Sequence, residues 1–113
     1  MDQLEIKKNG VTDIKTDTEI PTQYSISQNY PNPFNPSTMI NYSIPNSSVV
    51  SIVIYDLLGR EVKTLINTEQ NAGNYQVLWN GDNNYGSKVS SGTYFYSIRS
   101  SDFHQVRKMI LLK

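Results

Sequence analysis

The chain has 113 residues, with ten basic and ten acidic side chains, no net formal charge and no cysteine. That length holds one compact domain rather than two cores of ordinary size, and the balanced charge leaves no electrostatic footprint for nucleic acid or an anionic membrane. The missing cysteine excludes disulfide frameworks, thiolate zinc sites and thiol nucleophiles, and no segment approaches the length of a membrane span.

Residues 1–23 carry eight charged side chains, against twelve in the ninety residues that follow. Their apolar positions, Leu4, Ile6, Val11, Ile14 and Ile20, fit neither a period of 2 nor one of 3.6, and no apolar run resembles a signal-peptide core. Residues 1–23 are therefore expected to be a charged linker or the end of a preceding region, with the domain spanning 24–113. If the protein is exported, its entry signal lies elsewhere.

The next stretch is QNYPNPFNPST, Gln28 to Thr38. Pro31, Pro33 and Pro36 fix their own φ and push Tyr30, Asn32 and Asn35 out of the helical region, which predicts a stiff extended arm. Three missing N–H donors keep this arm out of a central strand, while Tyr30 and Phe34 supply anchors over an open end of a sandwich. From Thr38 the period becomes 2, with Thr38, Ile40, Tyr42 and Ile44 on one face until Pro45 ends the ladder. Val50, Ile52 and Ile54 repeat the pattern. In DLLGRE, Gly59 is expected to take the positive φ of a tight reversal into a returning strand at Val62 to Ile66. After the turn residues of QNAGNY, Tyr75, Val77 and Trp79 alternate inward, Asn80 to Gly86 form a loop, and a short strand is expected at Lys88 to Ser90. Ser91-Gly92 introduces Tyr94, Tyr96 and Ile98 on one face, Ser100 to Asp102 turn, and Gln105 to Leu112 close the chain.

Six or seven short strands without a helix predict an all-β, immunoglobulin-like antiparallel sandwich, since the apolar face of each sheet must be covered by the other. Trp79, Tyr94 and Tyr96 would take the place of the inter-sheet cysteine pair. Catalytic chemistry is poorly served. His104, in a predicted turn near Asp102, has no evident acid–base or ligand partner. Asp82, Asn83 and Asn84 offer oxygens for a cation, but without the acidic spacing or the bidentate Glu of an EF-hand. No serine lies in a G-x-S-x-G elbow. A non-enzymatic chain with no cofactor and no metal is expected.

The motifs QNYPNPFNPST, YSIP, IYDLLGREVKTL, AGNYQVLWNGDNNYGSKVSSGTYFYSI and the terminal KMILLK occur in this order from about Tyr24 to Lys113. Together they resemble the type A C-terminal sorting domain of the type IX secretion system (Por secretion system). The GREV and SGTY elements are also similar to those of immunoglobulin-like domains in flagellar hook-capping proteins. The chain departs from the sorting pattern at Asn80, where Asp is frequent, and at Arg107-Lys108, where two lysines are frequent. The resemblance implies a C-terminal secretion signal on a larger cargo protein. Such cargo crosses the inner membrane by an ordinary signal peptide, folds in the periplasm and passes an outer-membrane translocon. A sortase-like surface transpeptidase then removes the domain and attaches the cargo to the cell surface.

The same resemblance implies structural roles for Tyr30, Pro31, Asn32, Pro33, Phe34, Pro36, Gly59, Arg60, Gly73, Trp79, Gly86, Gly92 and Tyr94. It implies translocon recognition through Lys108, Met109, Ile110, Leu111, Leu112 and Lys113. In that last segment Met109 and Leu111 share one face and Ile110 and Leu112 the other, so an apolar edge strand is expected to stay open to a partner. The competing expectation is a cell-surface or carbohydrate-binding accessory module that stacks sugar rings on Tyr30, Tyr85 or Phe103.

Overall fold

The computed structural model describes residues 20–113. Most of the expected linker, residues 1–19, lies outside the described residues. Seven strands follow one another: β1 (Ser25–Ile26), β2 (Thr38–Ile44), β3 (Ser48–Tyr55), β4 (Glu61–Gln70), β5 (Gly73–Trp79), β6 (Gly92–Ser100) and β7 (Phe103–Leu111). They form a three-stranded sheet in the order β1-β2-β5 and a four-stranded sheet in the order β4-β3-β6-β7. Every strand pair is antiparallel. The described residues contain no helix, and so none long and apolar enough to cross a membrane.

Period-2 alternation places the core as expected. Ile40, Ile52, Ile54, Trp79 and Tyr96 are fully shielded, and Tyr42 and Tyr94 are 2% and 6% exposed. Trp79 sits at the centre of the aromatic packing, 5.4 Å from the Tyr94 ring in an edge-on arrangement and 5.6 Å from Phe34. Offset and edge-to-face contacts of this kind add stabilisation beyond the area they bury. The indole N–H, which would be costly to bury alone, donates to the Asp82 carbonyl at 2.8 Å. Phenol groups tie the two sheets together: Tyr42 Oη donates to Gln70 Oε1 at 2.6 Å and Tyr96 Oη to the Ser27 carbonyl at 2.7 Å.

The β3–β4 reversal forms as predicted, with Gly59 at φ 83°. Asp56 organises it: its Oδ1 accepts the Leu58 and Arg60 amides at 2.9 Å each, and its Oδ2 accepts Arg60 Nε at 2.8 Å. Donation from the Arg60 backbone is the main reason the Asp56 carboxyl titrates below its ordinary range.

Several elements differ from expectation. The two-residue β1 was not foreseen, because a strand this short has no periodicity to read. At Lys88 to Ser90 there is only a single bridged pair, Asp82 with Lys88, since the loop spends its hydrogen bonds internally. His104 is not in a turn; β7 begins one residue earlier and pairs His104 with Arg99. The turn falls at Ser101, which accepts a φ of 57°. Tyr75 and Val77 point inward but are half-buried, because β5 is an edge strand.

Candidate functional site

The Pro-rich arm and the last strand come together. From Ile26 to Phe34 the chain runs alongside β7 in the same direction, taking up its outer edge. Arg107 Nε donates to the Ile26 carbonyl at 3.0 Å, Gln28 Nε2 to the Lys108 carbonyl at 2.8 Å, and the Ile110 amide to Asn32 Oδ1 at 3.0 Å. Phe34 then enters a parallel bridge, its amide donating to the Ile110 carbonyl at 3.0 Å and its carbonyl accepting the Leu112 amide at 2.9 Å. The arm is thus a strap along one side of the sandwich. The three prolines do not prevent this, because only Phe34, which keeps its N–H, has to enter the bridge.

The other flank of the strap is sewn to β2. Tyr30 and Met39 exchange both backbone hydrogen bonds at 2.9 Å, so the arm closes on itself as a loop between residues 30 and 39. Here the expectation needs correction. Tyr30 anchors by its backbone while its side chain is 80% exposed; Phe34, 2% exposed, is the one buried aromatic anchor. Beneath the loop lies a buried polar node. The Asn29 amide donates to Tyr96 Oη at 2.9 Å, Asn29 Nδ2 to Thr38 Oγ1 at 3.0 Å, and Thr38 Oγ1 to the Pro31 carbonyl at 2.8 Å. With its hydrogen bonds made, burying this node fixes the arm's register at little net cost. Burial pushes the Tyr96 phenol above its ordinary titration value, against the pull of the Asn29 amide and Arg107.

The terminal segment divides into two sets. Met109 and Leu111 are core residues, 0% and 1% exposed, while Lys108 and Lys113 are exposed, Leu112 is half-exposed and Ile110 half-buried. The expected open edge is closed between Lys108 and Leu112 by the strap. The side chains of Lys108, Ile110, Leu112 and Lys113 are what remains outside. Leu111 meets the β5–β6 loop at Gly81, where an added Cβ would lie 3.1 Å from the Pro36 carbonyl and 3.6 Å from the Leu111 side chain. Gly81 holds φ 70°, so the position requires glycine on conformational and steric grounds alike. Sequence reasoning placed Thr38 on the inward face but not its polar partners, and missed Asn29 and Gly81; the last was legible only as the glycine of an Asn-Gly pair.

The remaining predicted positions lie in turns, loops and strand starts. Gly86 and Gly92 adopt φ 83° and 151°, whereas Gly73 lies at a strand start, where an added Cβ would make ordinary contact with the Tyr75 ring at 3.6 Å. Arg60 is in the Asp56 turn. In the loop considered for a cation, Asp82 pairs with Lys63 at 2.9 Å, and Asn83 Oδ1 accepts the Tyr85 and Ser87 amides at 2.9 and 3.0 Å. Asn84 Oδ1 accepts the Thr64 amide at 2.9 Å, so these oxygens serve the protein itself. Among the described residues, no three His, Cys, Asp or Glu side chains form a metal-binding group. Of the aromatics considered for sugar stacking, Tyr85 is 92% exposed, but Phe103 is half-buried and stacks on Tyr24 with ring centres 5.1 Å apart.

Among solved structures, the chain is similar to FlgD from P. aeruginosa, with 26% identity and a TM-score of 0.51 over 66% of this chain and 58% of that one. It is also similar in fold to dimeric latent PorU from Porphyromonas gingivalis, with 22% identity and a TM-score of 0.63 over 92% of this chain. The chain thus spans just over half of that FlgD chain and 10% of the PorU chain. No curated protein sequence gives a match. Residues 37–102, more than half of the chain, match the FlgD Ig-like domain, and with the two-sheet antiparallel architecture this establishes that the chain belongs to the FlgD Ig-like domain family.

Proposed function

We propose that residues 24–113 are a C-terminal sorting domain of the type IX secretion system, non-catalytic, and preceded by a linker at residues 1–23. The observation that supports this reading most is the strap. The two motifs at opposite ends of the resemblance, the Pro-rich arm and the terminal KMILLK, are joined by hydrogen bonds that Gln28 donates, Asn32 accepts and Phe34 both donates and accepts. A signal read from one strand needs that strand held in one conformation, and the strap together with Met109 and Leu111 would hold β7 so. Recognition by translocon components would then fall to Lys108, Ile110, Leu112 and Lys113. The similarity to a tenth of PorU is compatible with a module carried by a larger protein, here a covalently linked N-terminal cargo. In this reading the domain passes through the periplasm to the cell surface, where a sortase-like transpeptidase acts ahead of it.

The test is a folded reporter joined to residues 1–113 in a bacterium that has the system. Surface delivery that is lost when residues 24–113 are omitted supports the reading; retention of both forms in the periplasm sinks it. Family membership and the exposure of Tyr85 favour a second reading, an accessory binding module. Glycan-array binding that Tyr85→Ala abolishes would support that one instead.

A further inference from the structure

The outer face of the four-stranded sheet carries apolar side chains, with Val53, Tyr55, Phe95 and Ile110 half-buried and Val106 half-exposed, among polar ones that include Ser51, Arg99 and His104. Register sets Tyr55 beside Phe95 and Val53 beside Ser97 on β3 and β6. It sets Lys108 beside Phe95, Val106 beside Ser97, and Ile110 beside Thr93 on β6 and β7. By strand alternation these positions share the outer face, although Ser97 is itself only 4% exposed. At the far edge Glu61 of β4 pairs with Tyr55. One row across the sheet therefore reads Glu61, Tyr55, Phe95, Lys108: an acid at one edge, two aromatics in the middle, a base at the other edge. At the same end of the sheet the β3–β4 turn carries Leu57 and Leu58, 68% and 76% exposed.

This row is complementary to itself. A two-fold axis parallel to the strands, passing between β3 and β6, exchanges β4 with β7 and β3 with β6. Applied face to face, it lays Glu61 of one copy over Lys108 of the other, and Tyr55 over Phe95, each contact occurring twice. The strands of the two sheets stay roughly aligned, as face-packed sheets require. The turn bearing Leu57 and Leu58 falls toward Thr93 and Ile110 of the second copy. We infer that this face is an interface between two copies of the chain. The order of charges carries the choice of occupant. Among the described residues Glu61 accepts only from neutral groups of its own chain, Thr64 Oγ1 at 2.8 Å and Asn84 Nδ2 at 3.1 Å, and the same row reversed gives it and Lys108 each an opposite charge.

Four strands about 4.8 Å apart and some eight residues long give roughly 500 Å² per copy, below the ~800 Å² per partner of a standard stable interface. The dimer is accordingly reversible and depends on concentration. This inference does not rest on the sorting reading, and it is tested without export. Sedimentation equilibrium of the 113-residue chain across a wide concentration series reads it directly. The expected result is a monomer–dimer equilibrium in which Lys108→Glu and Glu61→Lys each weaken association about tenfold or more, since each sets like charges together twice. The combined Lys108→Glu, Glu61→Lys chain should recover to within about threefold of the parent. Phe95→Lys should leave only monomer, with circular dichroism confirming that each variant is folded. A parent that stays monomeric at every concentration overturns the inference, as does a combined variant no stronger than the single ones.

Discussion

Tyr96 shows how much one side chain can be asked to do. Its ring lies in the core, and its hydroxyl donates to Ser27 and accepts from the Asn29 amide, so it holds the start of the strap against β6. Tyr96→Phe keeps the ring but strands a buried amide and a carbonyl, and should cost about 1–3 kcal/mol in urea unfolding. The phenol also sets a pH dependence. Tyr96 and Tyr42 titrate above their ordinary value because burial disfavours the phenolate. Their contribution to stability is full below the unfolded value of about 10 and is lost as pH rises through the raised folded values. The urea midpoint should therefore fall on the alkaline side, and fall less steeply in Tyr96→Phe; equal slopes would contradict the assignment. Gly59 and Gly81 make a second pair of residue-scale statements. Both hold positive φ, but a Cβ at Gly59 meets nothing within 4 Å, whereas at Gly81 it meets the Pro36 carbonyl. Gly59→Ala should cost about 1–2 kcal/mol by conformation alone. Gly81→Ala should cost more, and thermal melts of the two variants check the order.

At the scale of elements, the strap and β7 form one unit. Phe34→Ala empties a site packed against Trp79 and removes the arm's buried anchor, at an expected cost of about 3–5 kcal/mol. Hydrogen exchange locates the effect: the Ile110 and Leu112 amides, which donate to Asn32 and Phe34, should lose protection before the β3 and β6 amides do. Uniform loss across the sheet would mean that the strap is not a separate unit. Much of this architecture could be read from the chain beforehand. β2 matches its predicted span because a clean apolar alternation runs from Thr38 until Pro45 stops it, and the alternation in β6 and β7 likewise separates core from surface. What could not be read is pairing at long range. Neither periodicity nor turn chemistry says that Asn32 meets Ile110, 78 residues away, so the terminal edge looked open when it was closed. The role of Tyr30 was misjudged for a related reason: an aromatic beside prolines suggests an anchor, and only the Met39 pairing reveals that the backbone does that work. His104 was placed in a turn because Ser-Ser-Asp precedes it, although two-residue hairpin turns are short enough to leave it in the strand.

For the molecule as a whole, the sandwich presents its last strand in a fixed form, its backbone edge engaged by the strap and Met109 and Leu111 in the core. Removing the final residues altogether would therefore mix loss of signal with loss of fold, since Met109 and Leu111 are themselves core residues. The decisive variant changes only the side chains left outside, replacing Lys108, Ile110, Leu112 and Lys113 by serine while keeping the two buried residues. Protease protection of the purified domain establishes that the variant is folded. The measurement is the fraction of a fused reporter that reaches the cell surface. The sorting account predicts that the folded variant leaves the reporter in the periplasm, whereas His104→Ala delivers it at the parental level. Parental surface delivery by the folded variant would contradict the assignment of the signal to the terminal strand.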